Sequence, residues 1–327
     1  MNTRRSFIKT ISTGAALSTI AIAAPGIASA TIADPEKKLK PIRVGIIGAE
    51  NSHAANFGKM FNIDHKFPGV ELTHIWGETD EFARKTAEAG KIPNIVKEQK
   101  EMLGKIDALI VDHRHAKYHL EAATPFVKAG IPTFVDKPFC YRVEEGKKFL
   151  KMAREVGTPV TSFSSIAQSV CTYDIREQVK SMDTINHVIR FGPLDLDSPY
   201  GGVFFYGVHL LQPLMVMFGE DIQRVKITRD GKKGSASLVF KSGLYATLIF
   251  KNLAYGWETF VETKTGLAEL KSRIPETDPI KIYTDIVEMF RTRVEPRSHQ
   301  SILTEIAILE ALERSATSEK WEEVMPV

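Results

Sequence analysis

Cysteine is nearly missing from this chain: Cys140 and Cys171 are the only two among 327 residues. Two thiols exclude a disulfide scaffold. One bridge is open to them outside the cytosol, but two free, partly buried thiols are the expectation. An excess of one charge is missing as well, with 43 basic residues against 40 acidic ones. That balance gives no support to a nucleic-acid or membrane-surface role. A stable membrane anchor is not expected either. The mildly apolar stretch from Thr10 to Pro25 is shorter than the ~20 residues a span needs and is diluted by glycine and serine. No internal repeat and no low-complexity tract is found. With 43% apolar residues the chain can bury a sizeable core, enough for one large or two ordinary domains.

What begins the chain is a basic run, Thr3-Arg4-Arg5-Ser6-Phe7-Ile8-Lys9, followed by that apolar stretch and by Ala28-Ser29-Ala30. Basic start, short apolar segment and small-x-small cut read as an export signal over residues 1–30. The paired arginines with Phe7 and Lys9 point to the twin-arginine machinery, with a plain secretory signal as the alternative. The twin-arginine route carries proteins already folded, often with a cofactor loaded inside the cell. An extracytoplasmic or periplasmic location is therefore expected. No cysteine follows the cut, so lipid attachment has no acceptor there. Arg4, Arg5 and Lys9 lie in the signal, which leaves the mature chain near neutral.

Residues 31–41 are polar and read as a linker. From Pro41 the character changes. Ile42–Gly48, Val70–Gly77, Ala108–Val111, Pro132–Val135 and Pro159–Thr161 are short apolar runs that read as buried strands. Helices are expected between them: from a Ser52 cap to about Phe61, from a Thr79 cap to Gly90, from Ala116 to Lys128 before Gly130, and from Glu144 to Glu155 before Gly157. Strands alternating with helices predict an α/β domain over 42–164, a doubly wound parallel sheet of Rossmann type. Residues 165–327 read as an α+β domain on an open, mainly antiparallel sheet. Its strand-like runs are 187–191, 225–229, 235–240, 245–251 and 257–262, with an Asp230-Gly231 turn between two of them. Helices are expected at about 203–217, 281–293 and 300–315. In the last, Ile302, Ile306, Leu309 and Leu312 share one face.

Ligands of an open parallel sheet sit beyond the carboxyl ends of its strands. The first strand delivers Gly48-Ala49-Glu50-Asn51-Ser52-His53. A full dinucleotide fingerprint has glycine at the first, third and sixth of these positions, for a tight turn, close approach to pyrophosphate and helix packing. Only Gly48 is present, with Glu50 and His53 in the other places. A carboxylate at Glu50 repels phosphates unless it points away. Helix-start amides bind anions, and Asn51 and Ser52 can donate hydrogen bonds. After the second strand, Gly77 stands where an acid for the adenosine ribose is expected, and Glu78 follows. Glu78 is either that acid, favouring NAD over NADP, or a solvated residue at a helix start. The strand ending in Val111 delivers Asp112-His113-Arg114-His115, with His119 one turn on. A metal reading uses His113 and His115 with Asp112 or His53, and a polar loop is the alternative. Val135 is followed by Asp136-Lys137-Pro138, a charged pair at the ligand edge; Lys137 can donate to a substrate hydroxyl or to the nicotinamide ribose, with a surface ion pair at a strand end as the alternative. His209, in the apolar run Val203–Gln212, is either a satisfied core histidine or a buried acid/base for proton transfer from a sugar-type hydroxyl.

Taken in order, these pieces resemble the glucose-fructose oxidoreductase and inositol dehydrogenase family, Gfo/Idh/MocA, over nearly all of the chain behind the leader. The resemblance is carried by the strand-turn-helix at 42–61, the helix with His119, Ala129-Gly130-Ile131-Pro132 leading into Asp136-Lys137-Pro138, Gly207-Val208-His209-Leu210-Leu211, and the terminal helix with Leu309–Ser315. It implies a Rossmann domain, a C-terminal open sheet often used for homo-oligomer contacts, a bound nicotinamide dinucleotide, and redox chemistry on a carbohydrate or polyol. By resemblance, Lys137 and His209 are the catalytic residues. Gly48, Asn51, Ser52, His53, Glu78, His119, Asp136 and Lys137 fall to the cofactor, NAD rather than NADP. Departures are also plain: the family's Thr-Pro-Asn stands as Arg114-His115-Ala116, and two acids expected near His209 are Phe205 and Gln212.

The function this implies is an exported, NAD-binding oxidoreductase. Its cofactor stays tightly bound, because no NAD pool exists outside the cytosol. Alternatives are a redox-neutral glycosidase or lyase using the same bound NAD, or a sugar-binding or accessory protein that has lost the dinucleotide.

Overall fold

A computed structural model of the chain describes residues 40–275 and 279–327. The export signal and most of the linker lie outside the described residues. In chain order the elements are β1 (Ile42–Ile47), α1 (Ser52–Gly58), β2 (Val70–Trp76), α2 (Asp80–Gly90), β3 (Asn94–Ile95), β4 (Ala108–Val111), α3 (His119–Lys128), β5 (Thr133–Val135), α4 (Val143–Glu155) and β6 (Val160–Thr161). They continue with α5 (Val170–Ser181), β7 (Ile185–Pro193), α6 (Val203–Phe218), β8 (Ile222–Asp230), β9 (Lys233–Phe240), β10 (Tyr245–Lys251), β11 (Glu258–Thr263), β12 (Gly266–Glu269), α7 (Ile280–Thr292), α8 (His299–Ser318) and β13 (Glu322–Glu323).

The first six strands form one parallel sheet in the order β3-β2-β1-β4-β5-β6. The reversal between β1 and β4 is the switch point of a Rossmann fold, as the alternating pattern predicts. The other seven form a sheet in the order β12-β11-β7-β10-β9-β8-β13, antiparallel throughout except for the β7–β10 pair. Strands β7 to β11 follow the expected runs and alternate buried with half-exposed residues, which is what a sheet with one covered face requires.

One face of the first sheet is packed by Phe57 and Phe61 from the α1 segment and by Ile286, Val287, Met289 and Phe290 of α7. The chain thus returns to the first sheet near its end. The opposite face, under α3 and α4, is continuous with the core of the second sheet through α6 and α8. Cys140 and Cys171 are both unpaired, the first buried and the second half-buried, as expected. Among the described residues no helix is long and apolar enough to cross a membrane.

Two helix ends differ from the sequence reading. Asn51, not Ser52, caps α1: its Oδ1 accepts from the His53 amide at 3.4 Å. Gly90 was expected to supply a left-handed stop, but the left-handed residue is Lys91, at φ 49°. Gly90 serves contact instead. A Cβ on Gly58 of α1 would stand 2.4 Å from the Gly90 Cα, so the two helices touch backbone to backbone. Gly58→Ala is therefore expected to cost about 1–3 kcal/mol by overpacking, read as a lower urea midpoint with unchanged slope.

Candidate functional site

The site begins at Gly48, where φ is +109° and a Cβ would stand 2.6 Å from the Asp112 carbonyl carbon. Only glycine passes there, because β1 turns towards α1 directly against the end of β4. The turn delivers Asn51, whose carboxamide Nδ2 donates to Asp112 Oδ1 at 3.0 Å and to Asp136 Oδ2 at 3.2 Å. Register explains the meeting: Val111 pairs with Val135, so the next residues of β4 and β5, both aspartates, emerge side by side. His53 completes the group, its Nδ1 3.3 Å from both oxygens of Asp136 and 3.8 Å from Asp112 Oδ1. Both carboxylates are buried, and Asp112 Oδ2 has no hydrogen-bond partner. Burial, with neighbouring Asp136 next in effect, pushes the Asp112 carboxyl well above the usual range. Burial opposes charge on Asp136 too, but His53 and Lys137 facing it win, and its pKa is held down.

Lys137 is buried with its Nζ 3.7 Å from Asp136 Oδ2 and 5.5 Å from the Phe205 ring centre. Across from it, α6 places His209, whose Nδ1 lies 2.7 Å from Ser164 Oγ. Ser164 is itself held, its amide donating to Gln212 Oε1. Burial, then the Lys137 charge, drives the His209 pKa well below its ordinary value, so the ring is neutral near pH 7. Lys137 and His209 line one cavity of ≈ 260 Å³ together with Asn51, Ser52, His53 and Tyr206. A second cavity of ≈ 780 Å³ adjoins it through His53 and Tyr255, walled by Phe57, Phe134, Tyr283 and Trp257 and by Arg190. Burial lowers the Arg190 pKa to about 10, and its Nε has no hydrogen-bond partner.

The remaining candidates lie beside this centre. Glu78 turns inward: its Oε2 accepts from the Ala49 and Glu50 amides at 2.9 and 3.0 Å, and its Oε1 faces His113 Nδ1 at 2.9 Å. Glu50 is drawn towards Tyr200, whose hydroxyl donates to it at 2.6 Å, and Arg114 stacks on the Tyr200 ring at 4.0 Å. His119 stands behind the cavity in α3, its two ring nitrogens 2.9 Å from the Pro138 carbonyl and 2.8 Å from that of His113. Burial lowers its pKa to about 4. His113 and His115 do not converge as a metal pair. His113 faces Glu78, while His115 Nδ1 accepts from the Lys117 amide. The metal-type group among the described residues is His53, Asp112 and Asp136. Ser164, Arg190 and Tyr200 were not singled out in the sequence. Only Arg190 left a signal, since it occupies a buried slot in the alternation of β7.

A parallel sheet with a switch point, a glycine turn at that point and an open second sheet over its edge define a two-domain, dinucleotide-type architecture. Residues 42–163 match the GFO_IDH_MocA model, described as an oxidoreductase family with an NAD-binding Rossmann fold. No curated protein matches the chain. Among solved structures, the chain is similar to GenD2 from gentamicin A biosynthesis in complex with NAD, at 15% identity and TM-score 0.74, covering 89% of this chain and 98% of that one. It is similar to myo-inositol dehydrogenase from Lactobacillus casei in complex with NAD(H) and myo-inositol, at 12% identity and TM-score 0.73, covering 88% and 98%. It is also similar to the WlbA dehydrogenase from Bordetella pertussis in complex with NADH and UDP-GlcNAcA, at 18% identity and TM-score 0.70, covering 88% and 100%. At these identities the likeness is one of fold.

The residues present fit a dinucleotide at the turn and at the acid after β2. The carboxylate at position 50 is compatible with it because Tyr200 and Arg114 take its charge. Glu78 gives this loop a pH signature. Burial works against its charge, but the His113 hydrogen bond and the Ala49 amide outweigh burial and hold its pKa down to about 2. An unfolded glutamate titrates at about 4.3. Its contribution to stability is therefore complete above that value and drains away as the pH falls towards 2. Denaturant titrations through this window are expected to show a flatter pH slope in Glu78→Gln than in the parent chain.

Proposed function

We propose that the protein is an oxidoreductase acting on a hydroxyl of a carbohydrate or polyol. The observation that carries this reading is the convergence of Lys137 from the first sheet and His209 from α6 on one small cavity. Gly48, Asn51, Ser52 and Glu78 would hold NAD, which when bound supplies the two-electron acceptor. The chain's own residues do the rest. The Lys137 ammonium donates a hydrogen bond to the reacting oxygen and stabilises negative charge on it. His209, neutral and buried, accepts the hydroxyl proton at Nε2, which requires its Nδ1–H to donate to Ser164 Oγ. Ser164 and Gln212 are positioning residues for that tautomer. Trp257 and Tyr255 offer aromatic faces, and the polar rim offers donors and acceptors, a mixture suited to sugar rings.

Release of small molecules from the denatured protein tests the cofactor. Stoichiometric NAD(H) supports the reading; no nucleotide, with added NAD also failing to bind, overturns it. That second outcome favours the sugar-binding alternative. In the active protein, His209→Ala and Lys137→Met are expected to lower kcat by about 10²–10⁴-fold with NAD binding retained. Ser164→Ala shifts the pH profile of kcat while leaving KM nearly unchanged. The reading places the protein outside the cytoplasm. Replacing Arg4 and Arg5 together by lysine is expected to trap the precursor inside the cell, read by fractionation and blotting.

A further inference from the structure

We propose that His53, Asp112 and Asp136 form a binding site for a divalent transition metal ion, manganese or zinc in class. One ring nitrogen and two carboxylate oxygens lie within 4.8 Å of one another. Two donors each about 2.1 Å from a common ion stand about 3.0 Å apart at a right angle and about 3.4 Å apart at the tetrahedral angle. The His53 Nδ1 separations of 3.3 Å to Asp136 and 3.8 Å to Asp112 are close to that spacing.

A second, independent observation points the same way. Asp112 is fully buried, and its Oδ2 finds no donor. A buried carboxylate oxygen without a donor costs free energy unless a cation or a proton meets it. Asn51 takes one oxygen of each aspartate with a single amide group, leaving Asp112 Oδ2 without a donor and Asp136 Oδ1 3.3 Å from His53 Nδ1. Clamping ligand carboxylates from behind is the task of an outer layer around a metal. Lys137 approaches the Asp136 oxygen that Asn51 already holds.

The site is also open where an ion needs room. His53 borders both cavities and Asp136 borders the larger one, so three protein ligands leave positions facing the cavities. An N,O,O set suits manganese or zinc better than the thiophilic ions. An ion there polarises a substrate oxygen as a Lewis acid, next to Lys137. This site differs from the His113 and His115 pair that the sequence suggested. Its test does not depend on the oxidoreductase reading, since ion uptake is read without NAD or a sugar.

The test uses the full mature chain, stripped by chelator and titrated with Mn²⁺ or Zn²⁺ alone by calorimetry, with Co²⁺ absorption as a second readout. One ion per chain is expected, lost in Asp112→Asn and in His53→Ala and unchanged in His115→Asn. Asn51→Ala is expected to weaken binding about 10–100-fold. His53 is partly exposed, so its variant folds even if the Asp112 variant does not. No uptake by the parent chain overturns the proposal; Asp112 then keeps a proton. Uptake that survives both substitutions also overturns it, because the ion then sits elsewhere.

Discussion

One carboxamide holds the functional edge of this protein together. The ends of β4 and β5 emerge side by side with an aspartate each, and two buried carboxylates in contact repel. Asn51 binds both from the turn after β1, so three strand ends share one hydrogen-bonding group. That arrangement needs Gly48, because any side chain there would collide with the Asp112 backbone and move Asn51 out of reach. Lys137 is in turn set by Asp136. The turn glycine, the cap of α1 and the charge on the lysine are thus one linked system, and its cost is a carboxylate oxygen with no donor.

The second half of the chain supplies what the parallel sheet lacks. A Rossmann edge alone is open to water. Here α6 covers it, bringing His209 opposite Lys137, and the core beneath α6 is continuous with the packing of α3 and α4. Ser164, just beyond β6, bonds to a histidine 45 residues away, so the chain couples the end of one sheet to the helix of the other domain. Arg190 adds a further tie, donating to Thr259 Oγ1 at 2.7 Å and to the His209 carbonyl at 3.4 Å. The placement of His209 therefore reports on both halves.

Much of the fold was legible because buried parallel strands are continuous apolar runs and the covered antiparallel strands alternate. What escaped has little pattern of its own. In α5 only Thr172 and Asp174 are buried, so it shows no apolar stripe. β3 and β13 are two residues long and exist because a neighbour pairs with them. At the site, Lys137, His209 and His53 could be picked out as chemistry-bearing residues, and two apolar strands each followed by aspartate foreshadowed the acidic pair. Ser164 could not be, since no local pattern links it to His209. The grouping of His53 with Asp112 and Asp136 was hidden for the same reason. His113 and His115 are close in sequence, but each has a partner of its own, Glu78 for the first and the Lys117 amide for the second, whereas His53 and Asp136 meet only through the sheet.

The glycine turn itself is less eroded than retargeted. Each position that departs from a full fingerprint carries a side chain with a defined partner: Glu50 meets Tyr200, and His53 meets Asp136. Gly77 follows the same logic. A Cβ there would stand 2.8 Å from the Ala83 amide and 2.9 Å from Ala49, so the acid cannot occupy this residue. It moves one place on, and Glu78 reaches back to the loop amides. The Ala49 and Glu50 amides of the turn are thereby satisfied within the chain by a carboxylate whose charge His113 supports. Each changed position is thus compensated within the chain, and the charge of the turn is steered by its own tyrosine, arginine and histidine.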